Sequence, residues 1–243
     1  MFKFHFVRSM RDVLGHVILV FFPILLIAFF NYILSETPIA SGAREHAVPP
    51  LSVLTLGFAL TFQIYGASVG FESLGADFFT PMRDRLIASP AEPRSLVISA
   101  LSVGCIVSFL QTVVVLTFSN LALGAELGSL HLILPILFLS VIFNQFLGTA
   151  ILISTESVKT SITSLTIYGA VVPMSVGLYF PLPQNAFFDI LRRYLTPLAL
   201  ANTAVLGVLE GNTRDVIVGA GALAIMSCGL FLALRPLIRR LST

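Results

Sequence analysis

The chain has 243 residues, of which 56% are hydrophobic and 11% are charged, and its formal net charge is +2. A soluble domain carries about 25% charged residues, so this composition argues against a soluble fold. It indicates a membrane protein whose apolar surface faces lipid. The two cysteines, Cys105 and Cys228, lie in apolar runs, where a small buried hydrophobic residue is the default interpretation.

The first 16 residues alternate apolar and charged side chains, with phenylalanines set against Lys3, Arg8 and Arg11. This pattern favours a helix that lies in the membrane interface. A solvated extension of the first span is the alternative. The apolar run that follows, 17–34, is longer than the roughly 7–15 residues of a signal sequence, so an uncleaved span is favoured over a signal peptide.

Six apolar runs have lengths suited to a bilayer, which takes about 20 residues of helix. They lie near residues 17–34, 51–70, 95–120, 131–153, 161–180 and 215–234. The sequence therefore predicts an all-α membrane protein with six transmembrane helices in a single domain, 1–243.

The lysines and arginines are distributed unequally between the alternate loops. With the N-terminus inside, one side holds Lys3, Arg8, Arg11, Arg83, Arg85, Arg94, Lys159, Arg235, Arg239 and Arg240. The other side holds Arg44, Arg192, Arg193 and Arg214. Because cytoplasmic loops carry the excess of basic residues, both termini are expected in the cytoplasm.

A short charged segment lies between the second and third spans, on the predicted cytoplasmic side. Thr80 can cap a helix whose first position is Pro81, and Pro90 ends it by disfavouring a helical Ser89. The helix within 80–89 would carry Met82, Arg83, Asp84, Arg85, Leu86 and Ile87. About two turns of helix are marginal alone in water, so this helix needs a partner.

The connection between the fifth and sixth spans, 183–211, is also predicted to be structured. Asn185 can cap one short helix, and Thr196 followed by Pro197 begins another. The second helix is about 13 residues, or roughly 20 Å, too short for a hydrocarbon core of about 30 Å. We expect it to re-enter the outer leaflet or lie at its surface; a poorly formed seventh span is the disfavoured alternative.

Polar residues inside the spans are candidates for a substrate pathway or for interhelical hydrogen bonds. They are Gln63, Gln111, Asn144 and Gln145. The interhelical hydrogen bond is the favoured role for each. Just below the second span, Glu72 and Asp77 are candidate electrostatic partners for nearby arginines.

Gly66-Ala-Ser-Val-Gly70 matches the G-x-S-x-G motif of serine hydrolases, which makes Ser68 a candidate nucleophile of an intramembrane protease. That chemistry needs a base beside the serine. The histidines lie toward the ends of the predicted spans, so the favoured interpretation is that Gly66 and Gly70 allow close helix packing. No catalytic residue is predicted.

The sequence offers no ATP site and no metal site of its own. It has no G-x-x-x-x-G-K-[ST] loop, no H-E-x-x-H and no cysteine pair at ligand spacing. Neither a cofactor in this chain nor a nucleic-acid partner is predicted.

The order of these elements resembles the integral-membrane subunit of an ABC-2 type ABC transporter. Members often carry E-x-G-T-[LM]-E-x-L-L-x-[ST]-P before the third span, and Asp84-Arg-Leu-Ile-Ala-Ser-Pro90 matches its second half. The first half departs, because Pro81 and Met82 replace Gly-Thr and Arg83 replaces an apolar residue. The resemblance covers nearly the whole chain and includes the outer region that begins at Leu182-Pro183.

The resemblance implies a permease that exports an amphipathic or apolar substrate across the cell membrane. Two copies, or this chain and a paralogue, would form the pore, and two separate ATPase subunits would bind ATP-Mg. The helix within 80–89 would then be the coupling helix, with Thr80, Met82, Arg83, Asp84, Arg85 and Leu86 facing the ATPase. The chain itself would be a transport subunit and not an enzyme.

An importer permease of the ABC class is a further alternative. Its loop motif, E-A-A-x-x-x-G followed by I-x-L-P, is echoed only at its ends by Glu72 and Ile87-Ala-Ser-Pro90. Gly75 lies three residues too early and the Ala-Ala pair is missing.

Overall fold

The computed structural model describes residues 2–36, 48–83, 93–178, 182–183 and 185–241, and these ranges contain helices and connections but no strand. The expected all-α class is confirmed. In chain order the helices are α1 Phe2–Ser9, α2 Val13–Glu36, α3 Pro50–Gly66, α4 Ser68–Phe78, α5 Pro93–Leu123, α6 Leu130–Thr155, α7 Val158–Val176, α8 Ala186–Tyr194, α9 Pro197–Glu210 and α10 Thr213–Leu241.

Five helical stretches in the described ranges are long and apolar enough to cross a membrane. They are Val13–Ile33, Pro50–Phe78, Ser95–Leu123, Leu130–Thr155 and Thr213–Pro236. Each overlaps one predicted span. The remaining predicted span, 161–180, overlaps α7, which has 19 residues but is rich in serine and threonine and is not among the five. The six-span arrangement therefore stays a prediction.

The second apolar stretch is longer than predicted and is broken into two helices. It continues past residue 70 to Phe78, with α3 ending at Gly66 and α4 beginning at Ser68. At the break, the Ala67 amide donates to the Ile64 carbonyl at 3.2 Å, a tighter turn than in an α-helix. The segment holds no proline between Pro50 and Phe78, but Gly66 and Ser68 flank Ala67, and glycine with serine is a known place for a helix to bend.

The two ends of the helix bundle are identified by their contacts. At one end α1 packs against α4 and α5, and Gly75 of α4 lies so close to Val158 that any Cβ would clash. We call this the α1 end. At the opposite end the Ser52 hydroxyl donates to the Glu126 carbonyl at 2.8 Å, which joins the start of α3 to the connection between α5 and α6.

The two predicted helix starts after α7 are confirmed by their caps. The Asn185 carboxamide oxygen accepts from the Phe188 amide at 3.0 Å, and the Thr196 hydroxyl accepts from the Ala199 amide at 3.1 Å. Helix α9 ends at Gly211, whose φ of 70° is a left-handed conformation suited to glycine.

Helix α9 lies inside the bundle, because most of its residues from Leu198 to Gly207 are buried. It packs most extensively against α10, where a Cβ on Gly219 would lie 2.6 Å from the Leu200 carbonyl oxygen. A short helix that is apolar on all sides is stable only when it is surrounded by others. The depth of α8 and α9 in a membrane stays a prediction.

Candidate functional site

The predicted coupling segment is described only at its beginning. The Thr80 hydroxyl donates to the Ala76 carbonyl at 2.7 Å and accepts from the Met82 amide at 3.2 Å. The Arg83 amide donates to the Thr80 carbonyl at 3.0 Å, so a turn begins where the sequence predicted it. Thr80, Pro81 and Met82 are exposed at the α1 end. Asp84, Arg85 and Leu86, with the remainder of 80–89, lie outside the described residues.

An ion pair ties the N-terminal helix to the last turns of α4. The Arg8 guanidinium lies 2.6 Å from an Asp77 carboxylate oxygen, and the Asp77 side chain is only 3% exposed. The expectation that Asp77 pairs with an arginine is confirmed. Its partner comes from α1, although the arginines nearest in sequence, Arg83 and Arg85, lie just after it. The second oxygen of Asp77 is buried and makes no hydrogen bond in the described part of the chain.

His5 lies beside this pair and is fully buried. Its Nδ1 atom is 2.9 Å from the Ser73 hydroxyl oxygen and 3.9 Å from the Asp77 carboxylate. Burial lowers the pKa of His5 below its ordinary value, and the Asp77 charge opposes this shift while Arg8 adds to it. The sequence placed His5 near the membrane surface but gave it no role, because its partners are distant in the chain.

A second polar contact joins the start of α2 to the middle of α5. The His16 Nε2 atom lies 2.8 Å from the Ser9 carbonyl oxygen, and the Gln111 amide nitrogen lies 2.9 Å from His16 Nδ1. Both ring nitrogens are therefore engaged. This contact gives one of the predicted pathway residues, Gln111, an interhelical partner.

The break between α3 and α4 is stabilised by side chains from two other helices. The Gly66 carbonyl accepts from the Ser108 hydroxyl at 2.8 Å and from the Gln145 amide at 3.1 Å. Gln145 also donates to the Ser108 hydroxyl at 3.0 Å. These side chains tie the end of α3 to α5 and α6 by hydrogen bonds, in a region where no water is available to replace them.

The other two predicted pathway residues are also placed by hydrogen bonds. Gln63 donates to the Thr112 hydroxyl at 3.2 Å, one helical turn from the break. Within the described residues Asn144 donates one hydrogen bond, to the Ser140 hydroxyl of its own helix at 3.5 Å. Gln63, Gln111 and Gln145 thus join helices, whereas Asn144 does not. Their role in a substrate pathway stays a prediction.

The glycines of the G-x-S-x-G segment lie at a helix crossing. A Cβ on Gly104 of α5 would lie 2.9 Å from the Gly70 Cα atom, and one on Gly70 would overlap the Gln145 carboxamide. In the described residues no histidine forms a hydrogen bond with Ser68. The close crossing supports the packing interpretation of this motif.

A cavity of 460 Å³ opens at the α1 end between α2, α4 and α7. Its polar lining is formed by Arg8, Ser9, Asp12, His16, Ser68 and Glu72. A second, apolar cavity of 440 Å³ continues from it along α2 and α3, and the two share Ile18, Leu19 and Tyr65. Together they form one groove that is polar at the α1 end and apolar beyond it.

A scan against protein-family models matches no family, and searches of the curated proteins and of the solved structures find no significantly similar chain.

Proposed function

We propose that this chain is the permease subunit of an ATP-driven ABC-2 type exporter in the cell membrane. Helices α2, α3 with α4, α5, α6, α7 and α10 would be its six spans, with both termini in the cytoplasm. Helices α8 and α9 would form the re-entrant outer region. The substrate would be amphipathic or apolar, because no charged residue lies at the middle of a predicted span.

The observation that carries this proposal is the exposed turn at 80–83. It follows α4 directly, and it lies at the end of the bundle where α1 contributes Lys3 and Arg8 and the connection to α2 contributes Arg11. A capped, exposed helix start with Met82 at 38% exposure is suited to docking on a soluble partner. The absence of an ATP-binding loop from the sequence makes an ATPase the partner that such an exporter requires.

The contacts of α4 support a path by which a motion of this turn could reach the membrane. Asp77 ties α4 to α1, and Gly70 packs directly on α5. Above them, the helix tightens locally at Ala67, where the amide bonds three residues back, and in this proposal α4 tilts relative to α3 at that point. In this proposal, closure of the ATPases on ATP-Mg moves α4 as a lever.

The pore would be formed by two permease chains, either two copies or this chain with a paralogue. Export by such a pair needs two ATPase subunits, one for each coupling helix. The two alternatives predict different partners. A protease needs no ATPase, and an importer needs a substrate-binding protein outside the membrane as well.

The test is capture of the tagged chain from its native membrane in a mild detergent with a non-hydrolysable ATP analogue. We expect an ATPase subunit with a Walker A loop to be recovered, as judged by quantitative mass spectrometry. Its amount should equal that of the tagged chain if two copies form the pore, and should be twice that amount if a paralogue completes it. Recovery of the chain with no such subunit, from membranes in which it is active, would overturn the proposal.

A further inference from the structure

The groove along α2 combines two chemistries that a single ligand can satisfy. At the α1 end its lining holds two carboxylates, Asp12 and Glu72, and one guanidinium, Arg8. Arg8 is already paired with Asp77 at 2.6 Å. In the described residues neither Asp12 nor Glu72 makes an ion pair. The polar end of the groove is therefore complementary to a cation.

The polar end also carries donors and acceptors for a larger headgroup. Ser9 also lines the cavity, but its hydroxyl is buried and does not face the cavity, so Arg8 is the cationic donor at this end. The free N–H groups of a guanidinium paired on one side can still bind a phosphate oxygen. A zwitterionic headgroup with an ammonium and a phosphate would thus find a partner for each of its charges.

The apolar end has the position and length of a lipid chain. Its lining along α2 runs from Ile18 to Phe30, about 18 Å of helix. Half of a hydrocarbon core is about 15 Å, so the groove spans one leaflet. Phe22, which lines it, is 48% exposed, so the groove opens at the outer surface of α2. A lipid of the adjacent leaflet could enter from the side.

We propose that this groove binds a phospholipid with a primary ammonium headgroup. The ammonium lies between Asp12 and Glu72, the phosphate faces Arg8, and one acyl chain lies along Phe22, Phe30 and Phe62. Lipid binding to this groove does not depend on the proposed function. The further statement that the bound lipid is transported does rest on it.

Binding is tested on the purified chain without any ATPase, so that failure here and failure of the proposed function are separate results. Native mass spectrometry would compare phosphatidylethanolamine with phosphatidylglycerol of the same acyl chains. We expect preference for the ethanolamine lipid by about tenfold, the worth of one charge-assisted hydrogen bond. Equal retention of both lipids would overturn the proposal.

Two variants test the headgroup contacts separately. Glu72→Gln removes one carboxylate, and Asp12→Asn removes the other. The asparagine keeps an oxygen that can accept the hydrogen bond from the Gly15 amide, which Asp12 accepts at 3.1 Å in the wild type. Each should lower binding of the ethanolamine lipid and leave the glycerol lipid unchanged or better bound. The control is Glu126→Gln, which neutralises an exposed carboxylate at the opposite end.

Phe22→Ala tests the contacts with the acyl chain and should weaken the binding of both lipids equally. If either headgroup variant does not fold, the other decides the result. Full binding of the ethanolamine lipid by the headgroup variants that fold would contradict the proposal. Binding of a single-chain alkylammonium probe without binding of the ethanolamine lipid would likewise exclude a membrane lipid as the occupant.

Discussion

Arg8 and Asp77 are joined by a 2.6 Å ion pair between residues 69 positions apart in the chain. The pair connects the N-terminal helix to the last turn of α4, three residues before the exposed turn begins at Thr80. The Asp77 side chain is 3% exposed, so water cannot replace Arg8 as its partner. Arg8 is 33% exposed and can be solvated without Asp77. The position of α1 and the charge of α4 are thus set together.

Arg8→Ala should destabilise the chain by about 1–3 kcal/mol, because it leaves a buried carboxylate without its partner. The partial exposure of Arg8 places the effect toward the lower part of that range. Thermal unfolding in detergent, followed by circular dichroism, measures the change. Arg11→Ala, on an exposed neighbour, is the matched control and should have little effect. Equal stability of the two variants would show that the pair does not hold α1.

His5 makes the same contact sensitive to pH. Burial lowers its pKa below the ordinary value of 6.5, and Asp77 opposes this shift while Arg8 adds to it. The folded state therefore binds fewer protons than the unfolded state, and stability falls as the pH drops below 6.5 through the lowered pKa. We expect the melting temperature to fall between about pH 7 and pH 5, and His5→Gln to reduce that fall. The idea fails if the variant and the wild type show the same pH profile.

Gln145 is expected to be the polar residue on which the broken span depends most. Gln145→Leu removes its donors to the Gly66 carbonyl and to Ser108. Interhelical hydrogen bonds in membranes average about 0.6 kcal/mol and reach about 1.7, so a loss of about 1–2 kcal/mol is expected for the two. Asn144→Leu is the matched control, since the hydrogen bond that the structure gives Asn144 lies within its own helix. Unfolding in mixed micelles would compare them, and a larger loss for Asn144→Leu would contradict this assignment.

At the crossing of α4 and α5, replacing a glycine with alanine should destabilise the fold. Gly104→Ala would bring a Cβ within 2.9 Å of the Gly70 Cα and 2.5 Å of the Gln145 oxygen. Overpacking of this kind costs about 1–3 kcal/mol. Gly221 of α10 has nothing within 4 Å of a built Cβ, so Gly221→Ala should be neutral or slightly stabilising. The same unfolding assay measures both, and equal tolerance at the two sites would argue against a close crossing.

The features that could be predicted from the sequence are those whose cause is local. Asn185 and Thr196 begin helices because a side chain and an amide three residues later are enough to form a cap. The five apolar stretches follow from length and composition alone. α7 shows the limit of that rule, because its serines and threonines make its sequence ambiguous between a span and a helix buried among others.

Contacts between distant residues had no such local signal. Arg8 meets Asp77 across 69 positions and Gln111 meets His16 across 95, and neither distance leaves a pattern in the chain. The irregularity at Ala67 has a local signal in Gly66 and Ser68. The groups that bond to it, Ser108 and Gln145, come from α5 and α6 and had none. The interhelical hydrogen bonds expected for Gln63, Gln111 and Gln145 are confirmed, whereas Asn144 bonds within its own helix. Which helix supplies each partner depends on packing.

The remaining prediction concerns the turn that follows α4. A substitution in this turn should detach or uncouple the ATPase without unfolding the spans; the three variants are Arg83→Glu, Arg85→Glu and Leu86→Ala. The spans should stay folded because these residues follow the capped start at Thr80 and lie beyond the apolar stretch that ends at Phe78. Arg214→Glu, the same charge reversal at an exposed residue of the opposite end, is the matched control. Co-purification of the ATPase and transport in membrane vesicles would both be measured. A full complement of ATPase together with normal transport in all three variants would rule out a coupling role for this turn.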